Sequence, residues 1–161
     1  MTPAPAVQEK NIRNAMGNKM KKYEILEHPG EMRLRVYGKT LEGLFKNAAL
    51  AMAQILKTNA NTAKKYANTA KQEKVKVKSI DINSLLVDFL SEILAKSQID
   101  KRVYKVKSLK LKVSKEGVNL RAEIVGFPIK RFEEDIKAVT YEDLNIKKIA
   151  HVYQTDLVFD I

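Results

Sequence analysis

The sequence predicts an α+β fold: a single two-layer domain, with a mostly antiparallel or mixed sheet of five to seven strands and two main helices packed on one face. Three observations lead there. Segments that alternate apolar and polar residues outnumber segments with helical spacing. Two stretches, 41–56 and 85–94, carry large apolar residues at helical intervals. Pro29-Gly30 and Glu116-Gly117 are turn signals between neighbouring strand-like runs, which makes most neighbours antiparallel.

Residues 1–19 read as a disordered leader, with Pro3, Pro5, small residues and no period. The domain is expected over 20–161. Residues 23–26 form a short strand, broken at His28-Pro29-Gly30-Glu31. Residues 33–37 alternate as a second strand that stops at Gly38. Thr40 is a good N-cap. Leu41, Leu44, Phe45, Ala48, Met52, Ile55 and Leu56 then mark a helix of about four turns. Its four alanines at 48, 49, 51 and 53 permit close packing against a sheet or a second helix.

A polar repeat insertion follows at about 58–72. Ala60-Asn61-Thr62-Ala63-Lys64 recurs as Ala67-Asn68-Thr69-Ala70-Lys71. Two Ala-rich copies make neither a solenoid nor a coiled coil, so a solvated surface insertion is expected. Residues 73–80 set Val75, Val77 and Ile80 against Lys74, Lys76 and Lys78, a half-exposed strand. Asn83 or Ser84 caps a second helix that turns Leu85, Leu86, Phe89, Leu90, Ile93 and Leu94 inward. Residues 103–113 and 118–125 form a hairpin ended by Gly126-Phe127-Pro128; 131–135 is a charged loop. Residues 136–141 are β-rich, and 144–148 continue after a break. Residues 151–160 are the closing strand.

The totals narrow the chemistry. The chain has 161 residues, 45% hydrophobic and 30% charged, as one soluble domain with a real core requires. The absence of Cys excludes disulfides, thiolate zinc sites and cysteine nucleophiles. Two histidines, His28 and His151, exclude multi-histidine metal sites. There is no apolar run long enough to span a bilayer and no secretory h-region, so a cytoplasmic location is expected, with no membrane partner. Phosphate-cradling glycine loops, HExxH and GxSxG are all missing, and no catalytic residue is assigned: the protein is expected not to be an enzyme. The net charge of +11 favours nucleic acid or an acidic protein surface as partner, although its lysines are spread along the whole chain.

The last strand carries the strongest hint of a site. In Leu157-Val158-Phe159-Asp160-Ile161, Asp160 and the α-carboxylate of Ile161 come together as hard oxygen donors of the kind Ca²⁺ or Mg²⁺ prefers.

Three stretches taken together resemble the archease family. They are Tyr23-Glu24-Ile25-Leu26-Glu27-His28-Pro29-Gly30-Glu31 with Val36-Tyr37-Gly38-Lys39-Thr40-Leu41-Glu42, then Leu85-Leu86-Val87-Asp88-Phe89-Leu90-Ser91-Glu92-Ile93-Leu94, then Ile136-Lys137-Ala138-Val139-Thr140-Tyr141 closed by Val158-Phe159-Asp160-Ile161. The resemblance covers about 21–161. It implies an α+β sandwich and a non-enzymatic partner protein, one that activates a GTP-dependent RNA-splicing ligase by promoting guanylylation and multiple turnover in tRNA splicing and RNA repair. It also implies a divalent cation, with Ca²⁺ favoured, held by Glu31, Asp160 and the terminal carboxylate of Ile161. His28, Lys137 and Thr140 become candidates for contacting the partner or a phosphate. Two departures from the family pattern stand out: Glu142 where the family has His, and a shortened 126–135 loop. Two alternatives stay open: a basic RNA-binding or chaperone-like modulator of tRNA-modifying enzymes such as a tRNA cytosine methyltransferase, with tRNA or such an enzyme as its partner, and a metal-dependent hydrolase built on Glu31 and Asp160. The oligomeric state is left open.

Overall fold

A computed structural model describes residues 20–57 and 69–161. The leader and most of the repeat insertion therefore lie outside the described residues. Strand β1 (Tyr23–His28) and strand β2 (Glu31–Gly38) form a hairpin around Pro29-Gly30. Gly30 takes φ +79°, the left-handed geometry that such a turn requires and glycine adopts freely. Leu34 and Val36 of β2 are fully buried, so Glu31, Arg33 and Arg35 line its other face.

Helix α1 (Leu41–Leu56) starts where expected, with the Thr40 hydroxyl accepting the Gly43 N–H at 2.9 Å. Strand β3 (Lys71–Ser79) leads to helix α2 (Ile82–Asp100), whose Leu85, Leu86, Phe89, Leu90, Ile93 and Leu94 are all buried. The cap of α2 differs from expectation. Asp81 holds the Ser84 N–H at 2.7 Å, while Asn83 accepts the Ile146 N–H at 2.9 Å. Asn83 is thus engaged by a distant loop, and the residue two positions before it caps the helix.

Strands β4 (Arg102–Ser114) and β5 (Gly117–Pro128) make the expected hairpin. Strand β5 runs on through Gly126-Phe127-Pro128. There Gly126 lets the Tyr104 ring lie flat on the strand, since a Cβ would stand 2.5 Å from Tyr104 Cε1. Pro128 falls beyond the end of the β3 pairing, where β5 has only β4 as a neighbour. Of 136–141 only β6 (Ala138–Val139) is strand; β7 (Lys147–Ile149) and β8 (Val152–Asp160) close the fold.

The α+β class and the two helices stand, but the strands divide into two sheets rather than one. A five-stranded antiparallel sheet runs β1-β2-β8-β6, with β7 also beside β8; the other sheet runs β3-β5-β4. Strand β8 is central, with β2 on one side and β6 and β7 sharing the other. Alternation tells which residues face inward and says nothing about which strand pairs with which. Each helix touches both sheets: α1 packs on β2 and β4, α2 on β3, β4, β5 and β6. This explains the alanines of α1, where Ala48, Ala49, Ala51 and Ala53 are all buried alongside the larger residues. One shared core results. Among the described residues no helix is long and apolar enough to cross a membrane.

Candidate functional site at the sheet end

The register of the five-stranded sheet assembles the site. Glu31 on β2 lies opposite Asp160 on β8, Arg33 opposite Val158 and Arg35 opposite Asp156. Period 2 puts these side chains on one face, and directly opposed residues in an antiparallel pair have Cβ atoms about 5 Å apart. Two acids therefore meet at the end of the sheet. Asp160 is exposed; Ile161 is half-buried and packs on the core.

On the other side of β8 the 137–142 segment is tied down residue by residue. The Lys137 N–H donates to the Asp160 carbonyl at 2.7 Å, and the Thr140 N–H donates to the Val158 carbonyl at 3.0 Å. The Thr140 hydroxyl donates to the same carbonyl at 3.0 Å and accepts the Glu142 N–H at 3.3 Å. Glu31, Asp160, Ile161, Lys137 and Thr140 are thus gathered at one end of one sheet. The Lys137 side chain is exposed and makes no ion pair among the described residues. Thr140 uses its hydroxyl internally, which makes it a positioning residue. The backbone of His28 lies opposite Glu31, while its side chain falls outside the described residues.

Arg33 is the residue that sequence reasoning missed. Its Nη2 donates to Glu31 Oε1 at 3.0 Å and stands 3.7 Å from Glu142; its Nη1 is hydrogen-bonded to the Asp143 carboxylate. Asp143, then Glu31, push the guanidinium pKa further up. Asp143 reaches it from a left-handed conformation, φ +56°, which Asp tolerates better than most residues. Arg33 Nε is buried and has no partner among the described residues. The available signal was its place two residues after Glu31, on the same face of the same strand. Further along that face, Arg35 grips Asp156 through two hydrogen bonds of 2.7 and 3.2 Å, and the Tyr37 hydroxyl donates to Glu24 at 2.7 Å.

The donors at this end suit a hard cation in kind. Glu31 and Asp160 are carboxylates on facing strands, and oxygen ligands are what Ca²⁺ and Mg²⁺ take. Glu31 is already engaged by Arg33, so a cation there would share that carboxylate with a guanidinium. Among the described residues no three His, Asp or Glu side chains converge on one point that could hold a metal ion.

Two antiparallel sheets around a pair of helices, with charged groups gathered at an open sheet end, define a small α+β module. Comparison places it further. The chain belongs to the archease family, whose model, the Archease protein family, matches residues 23–161. It is 36% identical over 151 residues to the archease of Methanosarcina barkeri, covering 91% of this chain and 100% of that protein. It is 31% identical over 134 residues to the archease of Pyrococcus abyssi, covering 81% and 91%. The solution structure of Methanobacterium thermoautotrophicum protein 1598 matches with a TM-score of 0.72 at 25% identity, over 88% of this chain and 100% of that one. The crystal structure of an archease from Thermotoga maritima, described as a possible chaperone, shares the fold with a TM-score of 0.53 at 17% identity, over 90% and 100%.

Proposed function

We propose that the chain is a non-enzymatic protein cofactor that activates a GTP-dependent RNA-splicing ligase, promoting its guanylylation and multiple turnover in tRNA splicing and RNA repair. Family membership supports this reading. The observation that carries it is the register that draws Glu31, Asp160, Lys137 and Thr140 to one open sheet end. An activator must offer groups to a partner's site, and the exposed Asp160 and Lys137 on adjoining segments are suited to that. Glu31, Asp160 and the terminal carboxylate of Ile161 would hold a divalent cation, Ca²⁺ before Mg²⁺, because Ca²⁺ accepts irregular carboxylate geometry. Bound there, the cation would supply positive charge for a phosphate oxygen. Arg33 would fix the Glu31 carboxylate, and Thr140 would hold the 137–142 segment against β8. Lys137 and His28 would meet the partner or its phosphates. Such work would be done in the cytoplasm.

The test is ligation by the cognate ligase at limiting enzyme, with and without this protein. Faster guanylylation and more turnovers are expected; unchanged rates at saturating protein would overturn the reading. For the cation, Asp160→Asn should weaken Ca²⁺ binding by about tenfold or more in calorimetry, as loss of a charged ligand does. The variant should still fold, since Asp160 is exposed at a strand end. An unaltered isotherm would place the cation elsewhere.

A further inference from the structure

We propose that the outer face of the three-stranded sheet binds a nucleic-acid phosphate backbone without reading its sequence. Register builds this face in rows. Lys76, Arg121 and Lys110 lie abreast on β3, β5 and β4. Lys78, Asn119 and Lys112 form the row on one side; Lys74, Glu123 and Ser108 form the row on the other. Successive rows are two residues apart, about 7 Å along the strands. The six cations are all exposed, and Glu123 is the one acid in the three rows. A shallow hollow of about 690 Å³ lies over the first two rows and another of about 430 Å³ between the first and the third.

A solvated sheet face needs charge, but not charge of one sign. Cations placed directly opposite one another on neighbouring strands repel. Among the described residues, Lys76, Arg121 and Lys110 meet no acid at ion-pair distance, and Lys78 reaches only the exposed Glu116, at 3.7 Å. The five-stranded sheet is arranged in the opposite way: Arg35 is paired with Asp156 across the strands, and Arg33 with Glu31 and Asp143. The same chain thus matches both arginines of the β2 face with acids and leaves the central row Lys76–Arg121–Lys110 without one among the described residues.

The rows also say which polyanion. They hold no aromatic or large apolar side chain, so the face offers no aromatic platform for bases and nothing to insert into a lipid surface. Lysine ammoniums are compact point charges that accept phosphate from many directions. A regular grid of them suits the dense, evenly spaced phosphates of a nucleic acid better than the scattered carboxylates of an acidic protein. The inference is independent of any ligase, because this face lies on the sheet that does not carry the Glu31–Asp160 end.

The test is fluorescence anisotropy of the full chain with a labelled RNA of about 20 nucleotides, from about 50 to 250 mM salt. Binding that weakens steeply with salt is expected, with DNA of equal length binding comparably. The Lys76→Ala/Lys110→Ala/Arg121→Ala variant should lose at least about tenfold in affinity, and its log–log salt slope should shrink by about 2, or about 0.7 for each phosphate no longer neutralised. Lys46→Ala/Lys147→Ala, on α1 and β7, should bind as the parent does. Thermal melting should show the triple variant folded and no less stable, because it relieves repulsion. Wild-type affinity and slope in the triple variant would overturn the proposal, as would no binding by the parent at the lowest salt. Polyglutamate bound as tightly as RNA would assign the face to an acidic protein and equally overturn it.

Discussion

Replacing Gly38 by alanine probes how closely α1 sits on β2. Gly38 ends β2, two residues before the Thr40 cap. A Cβ there would stand 2.3 Å from the Leu44 nitrogen, 2.6 Å from Leu44 Cα and 2.9 Å from the Gly43 carbonyl carbon. Ordinary contact begins at 3.4 Å, so strand and helix would have to part by about 1 Å. All three atoms are backbone, and none can rotate aside. The movement also strains the first helical bond, Leu44 N–H to the Thr40 carbonyl, now 2.9 Å. Overpacking costs about 1–3 kcal/mol in general, and backbone on both sides puts this case near the upper end, about 3 kcal/mol. In a domain of this size that lowers Tm by about 10 °C.

The assay is urea unfolding followed by circular dichroism, with Gly43→Ala as the comparison. A Cβ at Gly43 meets only the Thr40 hydroxyl oxygen, at 3.1 Å, besides a distant Gly38 Cα at 4.0 Å. Alanine gains about 1 kcal/mol of helix propensity over glycine, which offsets that tight contact. Gly43→Ala should therefore stay within about 1 kcal/mol of the parent. If Gly38→Ala were equally mild, α1 would not approach β2 as closely as the backbone distances require.

Two further outcomes follow from the packing and the ion pairs. Leu90, fully buried on α2, should destabilise the protein by about 2–5 kcal/mol when cut to alanine; a loss under about 1 kcal/mol in the same unfolding assay would mean that its face of the helix is not in the core. At acid pH, Lys71 and then Lys96 hold the Glu73 carboxyl below its usual range, and Tyr104 and then Lys71 do the same for Asp100. Because the folded state favours both charged forms, their contribution is present above the ordinary carboxylate range and is lost as pH falls through the depressed values. Melting temperatures taken downward from about pH 5 should fall, and Glu73→Gln/Asp100→Asn should flatten that fall; parallel curves for parent and variant would refute the pairing.

Local patterns made most elements legible. Lysines at 74, 76 and 78 against Val75 and Val77 marked β3, and the apolar spacing of α2 predicted six residues that are all buried. Pairing was not legible, because β8 alternates equally well whether it joins β2 or the β4–β5 hairpin. The division into two sheets therefore had no local signature. Choosing the α2 cap failed for a related reason. Asp81, Asn83 and Ser84 are all capping types, and what removed Asn83 was an N–H on Ile146, remote in sequence. Glu31, Asp160, Lys137 and Thr140 were brought together by family resemblance, and the β2–β8 and β6–β8 registers then supplied a physical reason for their meeting. Arg33 stayed hidden because its main partner, Asp143, sits in a loop whose left-handed turn no residue pattern announces.

Among the described residues, cations that are spread along the sequence are matched with acids unevenly in space. On the five-stranded sheet, Arg33 and Arg35 are each matched by acids. On the three-stranded sheet, Lys76, Arg121 and Lys110 stand abreast without such matches. Each helix touches both sheets, and a helix is about 10 Å thick with its side chains. The two outer faces are therefore separated by more than the Debye length of about 8 Å at physiological salt. A charge bound at one is screened from the other. If the proposed readings hold, a cation at the Glu31–Asp160 end and a polyanion on the lysine rows would not have to displace one another. Salt should then act on the two unequally, stripping a phosphate backbone from the exposed rows well before it loosens the half-buried Arg35–Asp156 pair.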